Sequence, residues 1–109
     1  MASGTITNIY PASGYDSNTG IGYCKFPDGT LYMYGANTIA VGDAYKTINF
    51  PVSFSSAARY GFSATANYGS TNQVILTLAA VGTSSINVHR NTATTGEQNF
   101  RWTAIGRWK

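Results

Sequence analysis

Charge is what this chain has least of. Asp, Glu, Lys and Arg make up 10% of its 109 residues, against roughly 25% in ordinary soluble domains. The seven cations are Lys25, Lys46, Arg59, Arg90, Arg101, Arg107 and Lys109, and with four acids they leave a net charge of +3. They are scattered except for three near the C-terminus, so the clustered basic face that a nucleic-acid reader needs is missing. The acids Asp16, Asp28, Asp43 and Glu97 stand far apart in sequence. Asp28, just before a glycine, has a turn to make, which leaves little from which to build a glycosidase carboxylate pair. His89 is the one histidine, and no Gly-x-Ser-x-Gly elbow accompanies it. The expectation is a protein that is not an enzyme and carries no cofactor.

Cysteine is equally scarce. Cys24 is alone, so an intrachain disulfide and a cysteine-rich metal site are both excluded. One Cys and one His distant in sequence do not close a zinc site either, and no metal is expected. Cys24 falls in phase with Phe26 along a strand, which predicts a buried, inert thiol. No apolar run reaches membrane-spanning length and no secretory signal opens the chain, so membrane insertion is not expected. Helical periodicity is missing as well, because glycine, β-branched and polar residues interrupt every window.

Apolar residues make up 43% of the chain, enough for one core in a single domain. Residues 1–19, rich in Ser, Gly, Asn and Pro, read as an extended lead-in, and residues 20–109 as the folded domain. Strand signals fill the latter. Residues 20–26 and 31–35 flank Pro27-Asp28-Gly29-Thr30, a strong hairpin signal. Further strands are expected at 46–50 and at 59–68, where Tyr60, Phe62, Ala64, Ala66 and Tyr68 alternate with small or polar residues. Residues 74–81 are apolar on both faces, which calls for a partner on the second face. A short strand at 85–90 and a last one at 98–108 follow, the latter pointing Phe100, Trp102, Ala104 and Trp108 to one side. His89 lies out of phase with Ile86 and Val88, on an outward or interface face. The fold class is all-β: an antiparallel β-sandwich of about six strands.

Several of these segments resemble a known pattern. Thr47-Ile48-Asn49-Phe50-Pro51-Val52-Ser53-Phe54 is similar to the apolar-x-Phe-Pro-x-x-Phe run of bacteriophage tail-fibre C-terminal domains, and to a less proline-marked form in the H-type lectins. Trp102-Thr103-Ala104-Ile105-Gly106 resembles the Trp-x-Ala-x-Gly motif that closes both families. The hairpin from Tyr23 to Leu31 resembles the Gly-Tyr-x-x-x-Pro-x-Gly opening of the phage domains. The resemblance implies an H-type-lectin-like sandwich that assembles as a trimer, with ligand sites near subunit boundaries. Two departures stand out. Gln73 occupies the position of the lectins' strand-start arginine, and residues 91–97 contain neither Trp nor His, so galactosamine-type specificity does not carry over.

The expected function is that of a fibre tip recognising a bacterial surface receptor, a saccharide before other classes, without catalysis. The alternative is a structural trimerisation knob that caps a fibre and has no ligand of its own. Expected partners are two further copies of the chain, a cell-surface glycan or other receptor, and an upstream fibre shaft. The expected location is the virion, after assembly in the host cytoplasm. Candidate ligand contacts are loop amides and guanidinium groups beside an aromatic ring: Tyr68, Asn72 and Gln73 on one loop, Arg90 and Asn91 at the next hairpin tip. Arg90, followed by Asn, Thr and Gly, is expected to keep its guanidinium exposed. Trp102 is expected in the core, and Trp108 either against a neighbouring subunit or frayed.

Overall fold

The computed structural model describes residues 12–67, 75–91 and 96–109. They form eight strands and no helix: β1 (Ala12–Asp16), β2 (Ile21–Lys25), β3 (Thr30–Ile39), β4 (Tyr45–Asn49), β5 (Gly61–Ala66), β6 (Leu76–Ala79), β7 (Ser85–Arg90) and β8 (Gln98–Arg107). All pairings are antiparallel. One sheet has five strands in the order β1-β2-β3-β8-β5, the other three in the order β4-β7-β6. The expected β-sandwich is therefore present, with eight strands rather than six. The one strand that no expected segment covers is a short edge piece whose weak alternation hides it: β1 lies inside the expected lead-in and pairs with β2 from Ala12↔Lys25 to Asp16↔Ile21.

The two sheets close on one core. Leu31, Met33, Phe100, Trp102 and Ala104 supply it from the larger sheet, and Ile48, Ile86 and Val88 from the smaller. Phe50 and Phe54, from the connection between β4 and β5, fill the rest. That connection explains the Phe-Pro-x-x-Phe pattern. Phe50 N–H donates to Ser84 O and Phe54 N–H to Thr83 O, and the Phe54 ring stacks on Tyr60 at 4.1 Å. Pro51, lacking a backbone donor, sits between the two bonded positions without wasting one.

Trp102 is core, with 2% of its surface exposed. Its indole lies flat across Gly35, its partner in the β3–β8 register; a Cβ at residue 35 would come within 2.6 Å of the ring nitrogen. A glycine inside a strand normally weakens it, and here it makes room for the largest side chain of the core. Nε1–H donates to Asn37 Oδ1 at 2.7 Å, so burial leaves no polar atom unpaired.

The hairpin at 27–30 forms as its sequence predicts. Gly29 takes φ +103°, a region that side chains rarely enter, and Asp28 Oδ1 accepts from Thr30 N–H at 2.9 Å. The C-terminus clasps this turn instead of fraying or leaving the subunit. Trp108 N–H donates to Gly29 O, its indole N–H donates to Phe26 O, and Lys25 Nζ sits 4.3 Å from the centre of its ring. Arg107 Nη2 donates to Asp28 O.

Two further expectations are corrected. Cys24 is half-buried rather than sealed in, because register pairs it with Tyr32 on the outer face while Tyr23 packs inward. The apolar stretch 74–81 yields only the four-residue β6. That strand is a sheet edge, and Ile75, Leu78 and Val81 are exposed beside or within it. The second covering for this stretch does not come from the chain's own described residues.

Trp102→Ala should lower stability by about 3–5 kcal/mol, the range for truncating a buried aromatic; chemical denaturation measures it. Asp28 makes a second, pH-dependent prediction. The Thr30 N–H, then the Thr30 side chain, with Arg107 nearby, hold its carboxyl below the ordinary aspartate value. A carboxyl depressed in the folded state stabilises above its unfolded value and loses that stabilisation as pH falls through the folded one. The acid limb of the melting-temperature profile, below about pH 4, should therefore be shallower in Asp28→Asn than in the wild type.

Candidate functional site

At one end of the sandwich β3 finishes and β4 starts, β5 finishes, β6 starts, β7 finishes and β8 starts. The registers tie these points together: Leu76 pairs with Arg90, Tyr45 with His89, and Ala66 with Phe100. The strand ends that flank the segments 67–75 and 91–97 thus lie side by side. Tyr68, Asn72 and Gln73 themselves lie outside the described residues.

Arg90 is not the exposed loop cation that its sequence context suggests. It is 9% exposed, since its alternation with Ile86 and Val88 turns it inward. Its guanidinium is consumed by backbone carbonyls. Nε donates to Asp43 O at 3.0 Å, Nη1 to Gly96 O at 2.6 Å, and Nη2 to Asp43 O at 2.8 Å and Ala40 O at 3.2 Å. The backbone N–H of Arg90 adds a bond to Ala44 O. A planar fork with five donors suits this task, and a lysine does not. The side chain holds the 40–44 connection against Gly96, and its charge is set among carbonyl dipoles. Asn91 plays a parallel part: its Oδ1 accepts from Ile75 N–H at 2.8 Å, fixing the start of β6. Gln98 Nε2 donates to Asn67 O, and Thr38 Oγ1 to Asn99 Oδ1 at 2.6 Å.

What this bracing presents to solvent is different chemistry. Tyr45, exposed, stacks on His89 with ring centres 4.8 Å apart and planes 22° from parallel. Beside them Thr47 Oγ1 donates to Asn87 Oδ1. Residues 42–47 line a shallow concavity at this point, with Asp43, Tyr45 and Lys46 contributing an acid, a ring and a cation. The outward phase of His89 matches its sequence reading; the Tyr45 partner was not legible, since it depends on the β4–β7 register. Among the described residues no group of three or more His, Cys, Asp or Glu is placed to hold a metal ion.

A family model for the C-terminal region of the gp53-like tail fiber protein matches residues 25–107. The chain belongs to this tail-fibre family. Solved structures agree at the level of fold. An N-truncated R2-type pyocin tail fiber aligns with TM-score 0.65 and 18% identity, over 98% of this chain and 43% of that one. A longer C-terminal fragment of the P. aeruginosa R2 pyocin fiber aligns with TM-score 0.64 and 18% identity over 98% of this chain. An N-truncated R1-type pyocin tail fiber aligns with TM-score 0.56 and 19% identity, over 97% of this chain and 96% of that one. The tail-fibre domain spans 29% of the longer R2 fragment. No curated protein matches it.

In this tail-fibre domain, Arg90→Ala should destabilise by roughly 2–3 kcal/mol, the scale of losing charge-assisted hydrogen bonds that are mostly buried. Arg90→Lys should recover little of it, because a point-like ammonium does not reproduce the fork. Thermal melting of the two variants checks both statements; wild-type melting of Arg90→Ala would show that the 40–44 connection holds without it.

Proposed function

We propose that this tail-fibre domain is a receptor-binding tip that recognises a bacterial surface saccharide without catalysis, working as a homotrimer at the end of a fibre shaft. The observation that carries the reading is the braced end of the sandwich: buried Arg90 and the Asn91 link hold two connections in place, and an exposed Tyr45–His89 stack sits on top of them. Saccharides are held where a ring covers their CH-rich face and amides or hydroxyls meet their polar edge, and a rigid frame lowers the cost of ordering such a site. Tyr68, Asn72 and Gln73 are the proposed amide and ring contacts, with Arg90 and Asn91 shaping the site from beneath. A surface poor in charge suits a ligand whose own groups are mostly hydroxyls. The scarcity of acids in the sequence is the support for the absence of catalysis. Assembly in the host cytoplasm completes the proposal, and the lone unbridged cysteine is compatible with it.

A specific observation favours the trimer. The β6 edge and its flanks expose Ile75, Leu78 and Val81, and apolar side chains exposed along an edge strand invite another copy. Three weak sites on one tip then act jointly, and avidity adds about 10²–10⁴-fold where geometry permits.

Light scattering of the wild type should return three times the chain mass, and Leu78→Asp should return the chain mass alone. In adsorption assays on bacteria that the wild type binds, Tyr45→Ala and Gln73→Ala should keep the oligomer and its melting temperature while adsorption falls steeply. Undiminished adsorption by both would place the receptor site elsewhere on the domain.

A further inference from the structure

The outer face of the five-stranded sheet carries a second aromatic surface, remote from the Tyr45–His89 stack because it belongs to the other sheet. Tyr34 lies across Gly22: register pairs the two residues, and a Cβ at position 22 would collide with the Tyr34 ring end. Tyr15, also paired with Gly22 from the other side, stacks with Tyr34 at 6.4 Å, planes 15° apart. Tyr32 continues the cluster, 5.9 Å from Tyr34. Tyr15 is 63% exposed and Tyr34 40%. Two features set this face apart from incidental surface tyrosines. A glycine stands in the middle of β2 where the sheet itself gains from a side chain, and its absence of one lets the ring settle onto the backbone. The Tyr15 and Tyr34 rings are also nearly parallel, and Tyr32 is tilted 32° from Tyr34, so the three offer adjoining aromatic surface instead of isolated edges.

The charge of this face selects its ligand. The charged side chains in phase with Tyr34 on the neighbouring strands are two cations: Arg101, which pairs with Ala36 one step along the same face, and Arg107, which pairs with Thr30 at the far end of β8 and donates to Asp28 O. No carboxylate shares the phase, and the exposed Ile105 pairs with Tyr32 on it. Thr103, opposite Tyr34, and Ser63, opposite Thr103, supply hydroxyls. Rings flanked by hydroxyls, with Arg101 beside them and Arg107 tied to the 27–30 turn, complement a ligand with flat CH-rich faces, hydroxyl edges and no positive charge.

We infer that the Tyr15–Tyr34–Tyr32 face is a second saccharide-binding surface, on which a polysaccharide strand lays pyranose faces against the rings and turns hydroxyl or acidic substituents toward Arg101. The inference rests on the receptor-binding reading and extends it from one end of the sandwich to the flank of the larger sheet. A long polysaccharide then meets each subunit at two places.

The test uses the full chain and polysaccharide purified from the surface of a bacterium to which the wild type adsorbs, both native and with its carboxyl groups reduced to alcohols. Tyr34→Ala and Tyr15→Ala should each weaken binding about tenfold or more, with oligomeric mass and melting temperature retained, and Tyr34→Phe should bind within about twofold of wild type because the ring is kept. Arg101→Ala should weaken binding to an acidic polysaccharide more than to its reduced form; equal weakening of both assigns Arg101 to hydroxyls and leaves the surface as proposed. Wild-type binding by Tyr34→Ala and Tyr15→Ala, alongside loss in Tyr45→Ala, overturns this inference and leaves the reading of the sandwich end intact. Dissociation of the oligomer in Tyr34→Ala overturns it differently, by making the face a contact between copies. A wild type that adsorbs to no polysaccharide overturns both.

Discussion

Strand β8 is paired along both of its edges, and every other feature of the domain is placed relative to it. It meets β3 over ten residue pairs from Thr30↔Arg107 to Ile39↔Gln98, and β5 over six. The contact that fixes this register is Trp102 against Gly35. A shift by one residue turns the indole outward and brings Arg101 or Thr103 into the core, at the cost of burying unpaired polar groups. Aromatic packing then propagates from this point: the Phe62 ring stacks on Trp102 at 5.2 Å, and Phe50 meets Trp102 at 5.9 Å. The small sheet is carried on that surface, with β7 between its two neighbours.

Because β8 follows β3 and β5 in the chain and pairs with both, the larger sheet is complete only once β8 has joined them. Pairing between β3 and β8 joins residues far apart in the chain, a non-local closure that carries a large entropic cost before it is repaid. The clasp of Trp108 and Arg107 on the 27–30 turn secures the far end of the same strand pair. The frame that results is stiff along β8 and leaves its polar and aromatic decoration to the outer faces and to one end. For a tail-fibre domain this division is useful: exposed residues on the outer faces are free to change without disturbing the packing beneath them.

Much of the frame is legible in the sequence because it is written in local chemistry. Asp28-Gly29 announces its turn, the alternation of Phe100, Trp102 and Ala104 announces the buried face of β8, and Ile86 and Val88 announce β7. What is hidden depends on register. Arg90 reads as an exposed tip residue until the β6–β7 and β4–β7 pairings turn it inward beneath the 40–44 carbonyls. Cys24 reads as buried until pairing puts Tyr23, and not Cys24, on the core side. The Tyr15–Tyr34 surface has a sequence signal in retrospect, since Gly22 and Tyr34 are the partners that the 27–30 hairpin dictates once its register is counted. β1 has almost none, being short, polar and at an edge.

Amide hydrogen exchange on the native domain tests the central role of β8 most directly. The slowest amides should belong to the β3–β8 pairing around Met33, Gly35, Trp102 and Ala104, exchanging only through global unfolding, while β1 and β6 open earlier as edge strands. Trp102→Ala should bring the β8 amides down together with those of β3 and β5. If instead the β4–β7 pair outlasts β8, or β8 exchanges as fast as β1, the sheet does not depend on this strand and the account is contradicted.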